Sequence, residues 1–314
     1  MLAATIKDGK VVVENHPDPV PGPGEVLVGV KAAGLNGADL LQVAGRYPAP
    51  PGSPQEIPGL EFAGEVVERG PGARRFAVGD RVMGIVGGGG QAELVVVHER
   101  QLLPVPEALE WPAAGGFPEV FLTAHDALFS QADLRPGEHL LVHGGAGGVG
   151  TAAIQLGVLV GAKVTATVRS KALWAQVEEL GATVVAPEGF GEHGPFDVVL
   201  ELVGAPNLAA NVSALAVGGR IVVIGVGAGA KGELNLLGLM GKRGRIHGST
   251  LRARPLEEKA IVSRRVEREV LPAVAEGKVR VPVERTFPLA EVQAAYDRFA
   301  AGGKFGKIVL LFGQ

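Results

Sequence analysis

The feature that most restricts this chain is the glycine-rich string Gly145-Ala146-Gly147-Gly148-Val149-Gly150, which fits G-x-G-x-x-G. In a chain with 48 glycines the string alone carries little, and its setting carries the argument. The apolar run His139-Leu140-Leu141-Val142-His143 leads into it, and a segment with helical apolar spacing, Val149 to Val160, leads out. A strand that turns through glycines into a helix lets the backbone approach a pyrophosphate. It also offers that anion the open N–H groups and positive dipole end of the helix. Gly145, Gly147, Gly148, Val149 and Gly150 are thus the expected dinucleotide-binding residues.

Downstream, strands and helices alternate. The expected strands are Lys163 to Val168, Thr183 to Ala186, Phe196 to Glu201 and Arg220 to Gly225, with a helix over Lys171 to Leu180. The order βαβαβ followed by a second half predicts a Rossmann-type, doubly wound parallel sheet, with Gly225 at a strand end beside the cofactor. The end of the second strand separates the cofactors. An NAD site places Asp or Glu there, about 20 residues after the glycines. Here the residues are Thr167-Val168-Arg169-Ser170-Lys171, two cations and a hydroxyl with no acid. That set suits a 2′-phosphate, for which the Arg169 guanidinium is a planar donor fork. NADPH is favoured over NADH; the competing reading of Arg169, Ser170 and Lys171 is a solvated helix start.

The residues before this region read differently. Glu25 to Lys31, Glu65 to Glu68, Arg81 to Val86 and Ala92 to Val97 are short strand candidates separated by Gly/Pro turns, which suggests a small distorted barrel. Past Leu256 the alternation stops. A long helix over Glu257 to Glu276, an amphipathic helix over Leu289 to Ala301 and a last strand, Lys307 to Leu311, are expected. That strand is read as returning to the first domain, so residues 1–118 and 256–314 would enclose an inserted nucleotide domain, 119–255.

Composition narrows the chemistry. With no cysteine there is no disulfide, thiolate nucleophile or Cys-ligated metal. A net charge of −3 gives no reason to expect nucleic acid as a partner. No apolar run reaches the roughly 20 residues that span a bilayer, and Met1 to Asp8 is too polar for a signal peptide, so a cytoplasmic protein is expected.

Several further segments stand out: Ala33-Gly34-Leu35-Asn36-Gly37-Ala38-Asp39-Leu40, Gly45-Arg46-Tyr47-Pro48, Pro58-Gly59-Leu60-Glu61-Phe62-Ala63-Gly64, Gly79-Asp80-Arg81-Val82, Lys242-Arg243-Gly244 and Gly306-Lys307-Ile308-Val309. Together they resemble zeta-crystallin-like quinone oxidoreductases of the medium-chain dehydrogenase/reductase superfamily. The Gly89-Gly90-Gln91-Ala92 loop and Leu251-Arg252-Ala253-Arg254 most resemble the tumour-suppressor-induced NADPH quinone oxidoreductase subfamily. The resemblance implies a GroES-like first domain, and Asn36 and Tyr47 lining the substrate site, with Tyr47 as hydrogen-bond donor to a carbonyl; the competing readings are a helix cap for Asn36 and a turn tyrosine beside Pro48 for Tyr47. It implies that Thr123 contacts the nicotinamide end.

Zinc alcohol dehydrogenases of the superfamily have Cys where this chain has Asn36 and His where it has Leu60, and their third ligand position falls near Glu119. Asn and Leu cannot supply a catalytic zinc site, so no metal is expected. Hydride transfer without a Lewis acid needs an acceptor that is already electrophilic: a quinone, or an enone or enoyl thioester as the alternative. From another class, an NADPH-responsive RNA-binding or structural protein is the remaining alternative, against which the mild acidity argues. Other polar residues have blander expectations. Glu61 is read as held by a neighbouring Arg, His143 as buried structure, Arg252 and Arg254 as surface charges on a loop or else as residues that order the substrate side, and the Arg264 to Glu269 run as a solvated helix face. By resemblance, the apolar, glycine-rich Leu234 to Gly241 segment marks a sheet edge that pairs across a two-fold in a homodimer.

Overall fold

The structure, a computed structural model, describes residues 1–313. It divides into two compact units, one of residues 1–122 with 251–314 and one of residues 123–250.

The first unit opens with a hairpin of β1 (Leu2–Lys7) and β2 (Lys10–Asn15). Its two-residue turn, Asp8-Gly9, has positive φ at both positions, the geometry that matches strand twist in a tight hairpin. The remaining early strands are β3 (Glu25–Gly34), β4 (Glu61–Arg69), β5 (Arg81–Ile85), β6 (Leu94–His98) and β7 (Leu102–Pro104). Helix α1 (Gly37–Val43) follows β3, and α2 (Trp111–Gly115) and α3 (Pro118–His125) follow β7.

The second unit carries β8 (His139–Val142), β9 (Lys163–Thr167), β10 (Thr183–Val185), β11 (Phe196–Glu201), β12 (Leu215–Val223) and β13 (Arg245–Gly248). They form a parallel sheet in the order β10-β9-β8-β11-β12-β13. The strand order reverses between β8 and β11, which is where open α/β sheets bind ligands. Crossover helices α4 (Gly148–Leu159), α5 (Trp174–Glu178), α6 (Leu208–Ala214) and α7 (Leu236–Lys242) connect them. Leu141, Val199 and Ile221 on the central strands pack with Phe190, Phe196, Val212 and Leu215. Helix α4 is buried along Gly150 to Gly157, which explains why it reads as apolar on nearly every face.

The chain then returns through α8 (Leu256–Glu269), α9 (Leu271–Ala275), β14 (Val283–Pro288), α10 (Val292–Ala300) and β15 (Lys307–Leu311). Strand β15 pairs antiparallel with β3, so the last strand completes the first unit's sheet, β14-β15-β3-β4-β5-β7, with β6 on β3. Register shifts bend β3 at Leu27/Val28 and Val30/Ala32, so it can pair with β4, β6 and β15. Val26, Val28 and Val30 meet Phe62, Val66, Val82, Ile308 and Leu310 in its core. The fold is α/β, a GroES-like domain with a Rossmann-type parallel-sheet domain.

Three expectations change. The helix expected over Glu257 to Glu276 is two helices broken at Val270, because Pro272 sits in the first turn of the second and has no N–H to continue the first. The strand expected to end at Gly225 stops at Val223, and the N–H groups of Ile224 and Gly225 turn back to the Glu201 carbonyl. The Leu234 to Gly241 segment is not a strand: Asn235 caps helix α7 by accepting from the Gly238 N–H, and β13 is the sheet edge.

Candidate active site

In the second unit the glycine turn follows β8, as its sequence setting suggests. Gly147 occupies the N-cap of α4 and no side chain caps that end, so the first-turn N–H groups of Gly148, Val149 and Gly150 have no side-chain acceptor. A Cβ on Gly150 would run into the Gly144 carbonyl, and one on Gly145 would press on the Ala166 side chain. The bare backbone is what lets helix and strand close together here. Such a cradle of N–H groups at the start of a 12-residue helix fits the pyrophosphate of a dinucleotide.

Beside it, Arg169 and Lys171 are exposed just beyond the C-terminal end of β9, with Ser170 half-buried between them. Trp174 anchors this corner by donating its indole N–H to the Val168 carbonyl, 3.0 Å away. Gly225 follows β12, where an added Cβ would strike the Leu202 carbonyl. The glycine turn, Arg169 to Lys171 and Gly225 thus share the C-terminal edge of one sheet. Thr123 is buried in α3.

In the first unit, Asn36 is the N-cap of α1, and its backbone N–H donates to Asp39 Oδ2 at 2.8 Å. Its side chain belongs to a buried polar cluster. Nδ2 donates to Glu61 Oε1 at 2.9 Å, and Oδ1 accepts from Lys307 Nζ at 2.8 Å. Lys307, 2% exposed, also pairs with Glu61 at 2.6 Å and donates to the Leu35 carbonyl. Glu61, fully buried, accepts in addition from the Glu119 backbone N–H at 2.9 Å. Its partner is therefore a lysine from the last strand, not the arginine expected. Burying that carboxylate is tolerable because every one of these contacts is charge-assisted.

Asp39 is buried in the same region, accepting from Asn36, Gly59 and Gln91, and burial raises its carboxyl to about 6 against the pull of the Asn36 and Gly59 N–H groups and of the Lys307 and Arg252 charges. Tyr296, the second tyrosine, donates to Gln91 and is core structure.

Tyr47 lies beyond the other end of α1. Burial raises its phenol above the ordinary value, the Arg252 guanidinium opposes that rise, and the Glu119 carboxyl adds to it. Arg252 is no surface charge. It is 4% exposed, donates to the carbonyls of Gly87 (2.7 Å) and Tyr47 (3.1 Å) and to the Gln42 side chain, and lies 5.1 Å from the Tyr47 ring centre. It ties three loops together and fixes the tyrosine's backbone. Arg254 pairs with Glu258 one turn into α8. The Arg264 to Glu269 run is only partly solvated, since Glu267 takes a two-pronged bond from Arg75 and Arg264 reaches the Leu102 carbonyl.

Glu119 is raised to about 7, first by burial and then by the negative charge of Glu61, with Lys307 opposing. Lys259, buried on α8, has its ammonium pulled below the usual lysine range by burial, with Glu119 opposing. Lys307, Arg252, Glu119 and Lys259 were not among the expected site residues. Lys307, Arg252 and Glu119 each had a signal, in the Gly306-Lys307-Ile308-Val309 and Leu251-Arg252-Ala253-Arg254 segments and the third ligand position of the zinc relatives; Lys259 had none. Among the described residues no group of three or more His, Asp or Glu side chains is arranged to hold a metal ion. A cavity of about 600 Å³ in this unit, lined by Val11, Val13, Leu289, Val292 and Phe312 among others, contains none of these polar residues.

Residues 22–107 match the alcohol dehydrogenase GroES-like domain family and residues 180–310 the zinc-binding dehydrogenase family. The chain is 39% identical over 208 residues to polyketide synthase GfsB of Streptomyces halstedii, covering 64% of this chain but spanning only 4% of that protein's length. It is 31% identical over 306 residues to quinone oxidoreductase of Rattus norvegicus, covering 93% of this chain and 91% of the relative. An alcohol dehydrogenase superfamily protein from Novosphingobium aromaticivorans superposes with a TM-score of 0.87 at 32% identity over all of both chains. With a GroES-like domain, a parallel dinucleotide-type sheet and near full-length likeness to a quinone oxidoreductase, the chain belongs to the medium-chain dehydrogenase/reductase superfamily of oxidoreductases.

Proposed function

We propose that this protein is a zinc-independent oxidoreductase that reduces quinones with NADPH. One observation carries the zinc-free reading. The Asn36 oxygen, at one position where zinc relatives have a ligand, and the Glu61 carboxylate, next to Leu60 at another, are engaged by the Lys307 ammonium at 2.8 and 2.6 Å. A cation already neutralises them, and Leu60 adds no donor. The acceptor must then bring its own electrophilicity, as a quinone does. The near full-length similarity to a quinone oxidoreductase supports the same substrate class.

The nicotinamide supplies a hydride; the residues of this chain bind, orient and hold the accompanying proton. Gly145, Gly147, Gly148, Val149 and Gly150 would receive the pyrophosphate, with Gly225 and Thr123 as the further cofactor residues. Arg169 and Lys171, exposed and without an ion-pair partner among the described residues, would take the 2′-phosphate with Ser170. Tyr47 would donate to the carbonyl oxygen that gains negative charge, since no hydrogen bond within the described residues occupies its hydroxyl. Asn36 would act mainly through its position, because its amide is spent on Glu61 and Lys307. Reduction of an enone or enoyl thioester is the second reading, favoured by the likeness to segments of polyketide synthases. A homodimer formed through the β13 edge and α7 is part of the proposal, as is a soluble, cytoplasmic setting. Among the described residues no helix is long and apolar enough to cross a membrane.

The test is oxidation of NADPH, with NADH beside it, against 1,2-naphthoquinone, a 1,4-quinone and a 2-alkenal. Quinone turnover that prefers NADPH and is indifferent to chelators is expected; turnover confined to the alkenal selects the second reading, and none with any acceptor refutes both. Arg169→Ala should raise KM for NADPH about tenfold while leaving that for NADH unchanged, the loss of a charge-assisted contact to phosphate. Tyr47→Phe should lower kcat roughly 10- to 100-fold with cofactor affinity intact.

A further inference from the structure

Beneath the glycine turn lies a row of buried polar side chains that the proposed chemistry does not use. It joins the C-terminal ends of three neighbouring strands across the reversal point of the sheet: Thr167 ends β9, His143 follows β8 and Glu201 ends β11. Asn211, from α6, completes it, and all four are no more than 3% exposed.

The direction of every bond in the row follows from its far end. Glu201 accepts from the N–H groups of Val203 (2.7 Å) and Gly204 (2.8 Å) and from the amides of Asn207 and Asn211. Asn211 spends its Nδ2 on Glu201 at 2.7 Å, so it must turn Oδ1 to His143 Nε2, also at 2.7 Å. His143 Nε2 therefore carries the proton. In the neutral ring Nδ1 is then an acceptor, and it takes the Thr167 hydroxyl at 3.1 Å. With its own hydrogen committed, Thr167 Oγ1 keeps a lone pair for the Gly144 N–H at 3.3 Å, while the Thr167 carbonyl holds the Gly145 N–H at 3.0 Å.

The alternative, an imidazolium paired with Glu201, does not fit. Their closest approach is 3.8 Å with Asn211 bonded to both, and burial against the Phe190 ring, 4.7 Å away, pulls the imidazole below its usual value.

We infer that Glu201, Asn211, His143 and Thr167 form a one-way hydrogen-bond chain that sets the glycine turn in its dinucleotide-accepting shape, with Thr167 as the positioning residue that reaches the turn. This inference rests on the nucleotide reading of that turn. It assigns the row to cofactor affinity rather than to hydride transfer, and it assigns the Nε2–H tautomer to His143.

Two measurements test it. Thr167→Val keeps the side-chain shape and removes only the hydroxyl, and Thr167→Ser restores the hydroxyl. NADPH dissociation constants, read by isothermal titration calorimetry, should rise about tenfold in Thr167→Val and return to within about threefold in Thr167→Ser, the scale of one buried hydrogen bond. Turnover at saturating NADPH should change less than about twofold, an effect on binding alone. Nitrogen-15 NMR of the cofactor-free protein should find His143 protonated at Nε2 and bare at Nδ1. Glu201→Gln, whose Nε2 would face the Asn211 amide, should invert the row and move the proton to Nδ1. Unchanged NADPH affinity in Thr167→Val, or an Nδ1–H tautomer in the unaltered protein, would overturn the inference while leaving the proposed function standing. Failure of the unaltered protein to bind either NADPH or NADH would overturn both.

Discussion

Glu61 accepts from the Glu119 N–H and pairs with the Lys307 ammonium at 2.6 Å. Burial first, and then the negative charge of Glu61, raise the Glu119 carboxyl to about 7, so below that pH it holds its proton. The sign for stability follows. A carboxyl whose folded value lies above its unfolded one binds its proton more tightly in the native state, so stability is highest below about 4.5 and falls as pH rises to about 7. Asp39, raised to about 6, acts in the same direction over a narrower window. Glu119→Gln removes the penalty, so its unfolding midpoint should exceed that of the unaltered protein at pH 8 and match it near pH 5. The ceiling is about 3 kcal/mol, and solvent access reduces the expected gain to about 1–2 kcal/mol. Denaturant titrations at the two pH values check it, and a gain that is equal at both would contradict the assignment of the proton.

At the scale of elements, β15 does more than complete a sheet. Its first residue, Lys307, threads an ammonium between Leu35, Asn36 and Glu61, so the last strand neutralises the site built by β3, α1 and β4. Lys307→Met should cost about 3–5 kcal/mol, because Glu61 is left buried without a cation; adding Glu61→Gln should recover more than half. Urea midpoints of the two variants measure this, and an equal loss in both would show that packing rather than charge dominates. Much of this architecture was legible in the sequence. The glycine turn, the alternating strands after it and the return of the last strand all follow from local patterns that the fold keeps. The Asp8-Gly9 hairpin is legible too, as a two-residue Asp-Gly turn between β-rich runs. The break at Pro272 was equally legible, since a proline inside a helical pattern ends or kinks the helix even where the apolar spacing runs straight through it. Other features could not be read. Arg252 resembles any loop arginine until Gly87, Tyr47 and Gln42 come together around it. The Thr167 to Glu201 row joins residues from four elements, and no spacing along the chain encodes it.

At the scale of the whole molecule, the second sheet ends in an outer edge, β13. Among the described residues strand β13 pairs only with β12, which leaves one row of its backbone groups without a strand partner there, the kind of edge that proteins cover or use. Helix α7, just before it, exposes Leu236 (64%), Leu237 (76%) and Met240 (70%), while Asn235 and the left-handed Arg243 close its two ends. A defined helix that turns its large apolar side chains to solvent beside an unpaired strand is consistent with a self-complementary surface. An isologous contact would bury both features at once, with each β13 meeting its symmetry mate. Leu237→Asp places a charge on that surface and touches no residue of either polar cluster. It should convert a dimer into a monomer by light scattering with the folding midpoint of the monomer unit shifted by less than about 1 kcal/mol, as is usual for exposed positions. An unaltered protein that is already monomeric at micromolar concentration would refute the homodimer. A dimer that survives Leu237→Asp would move its interface to another face of the chain.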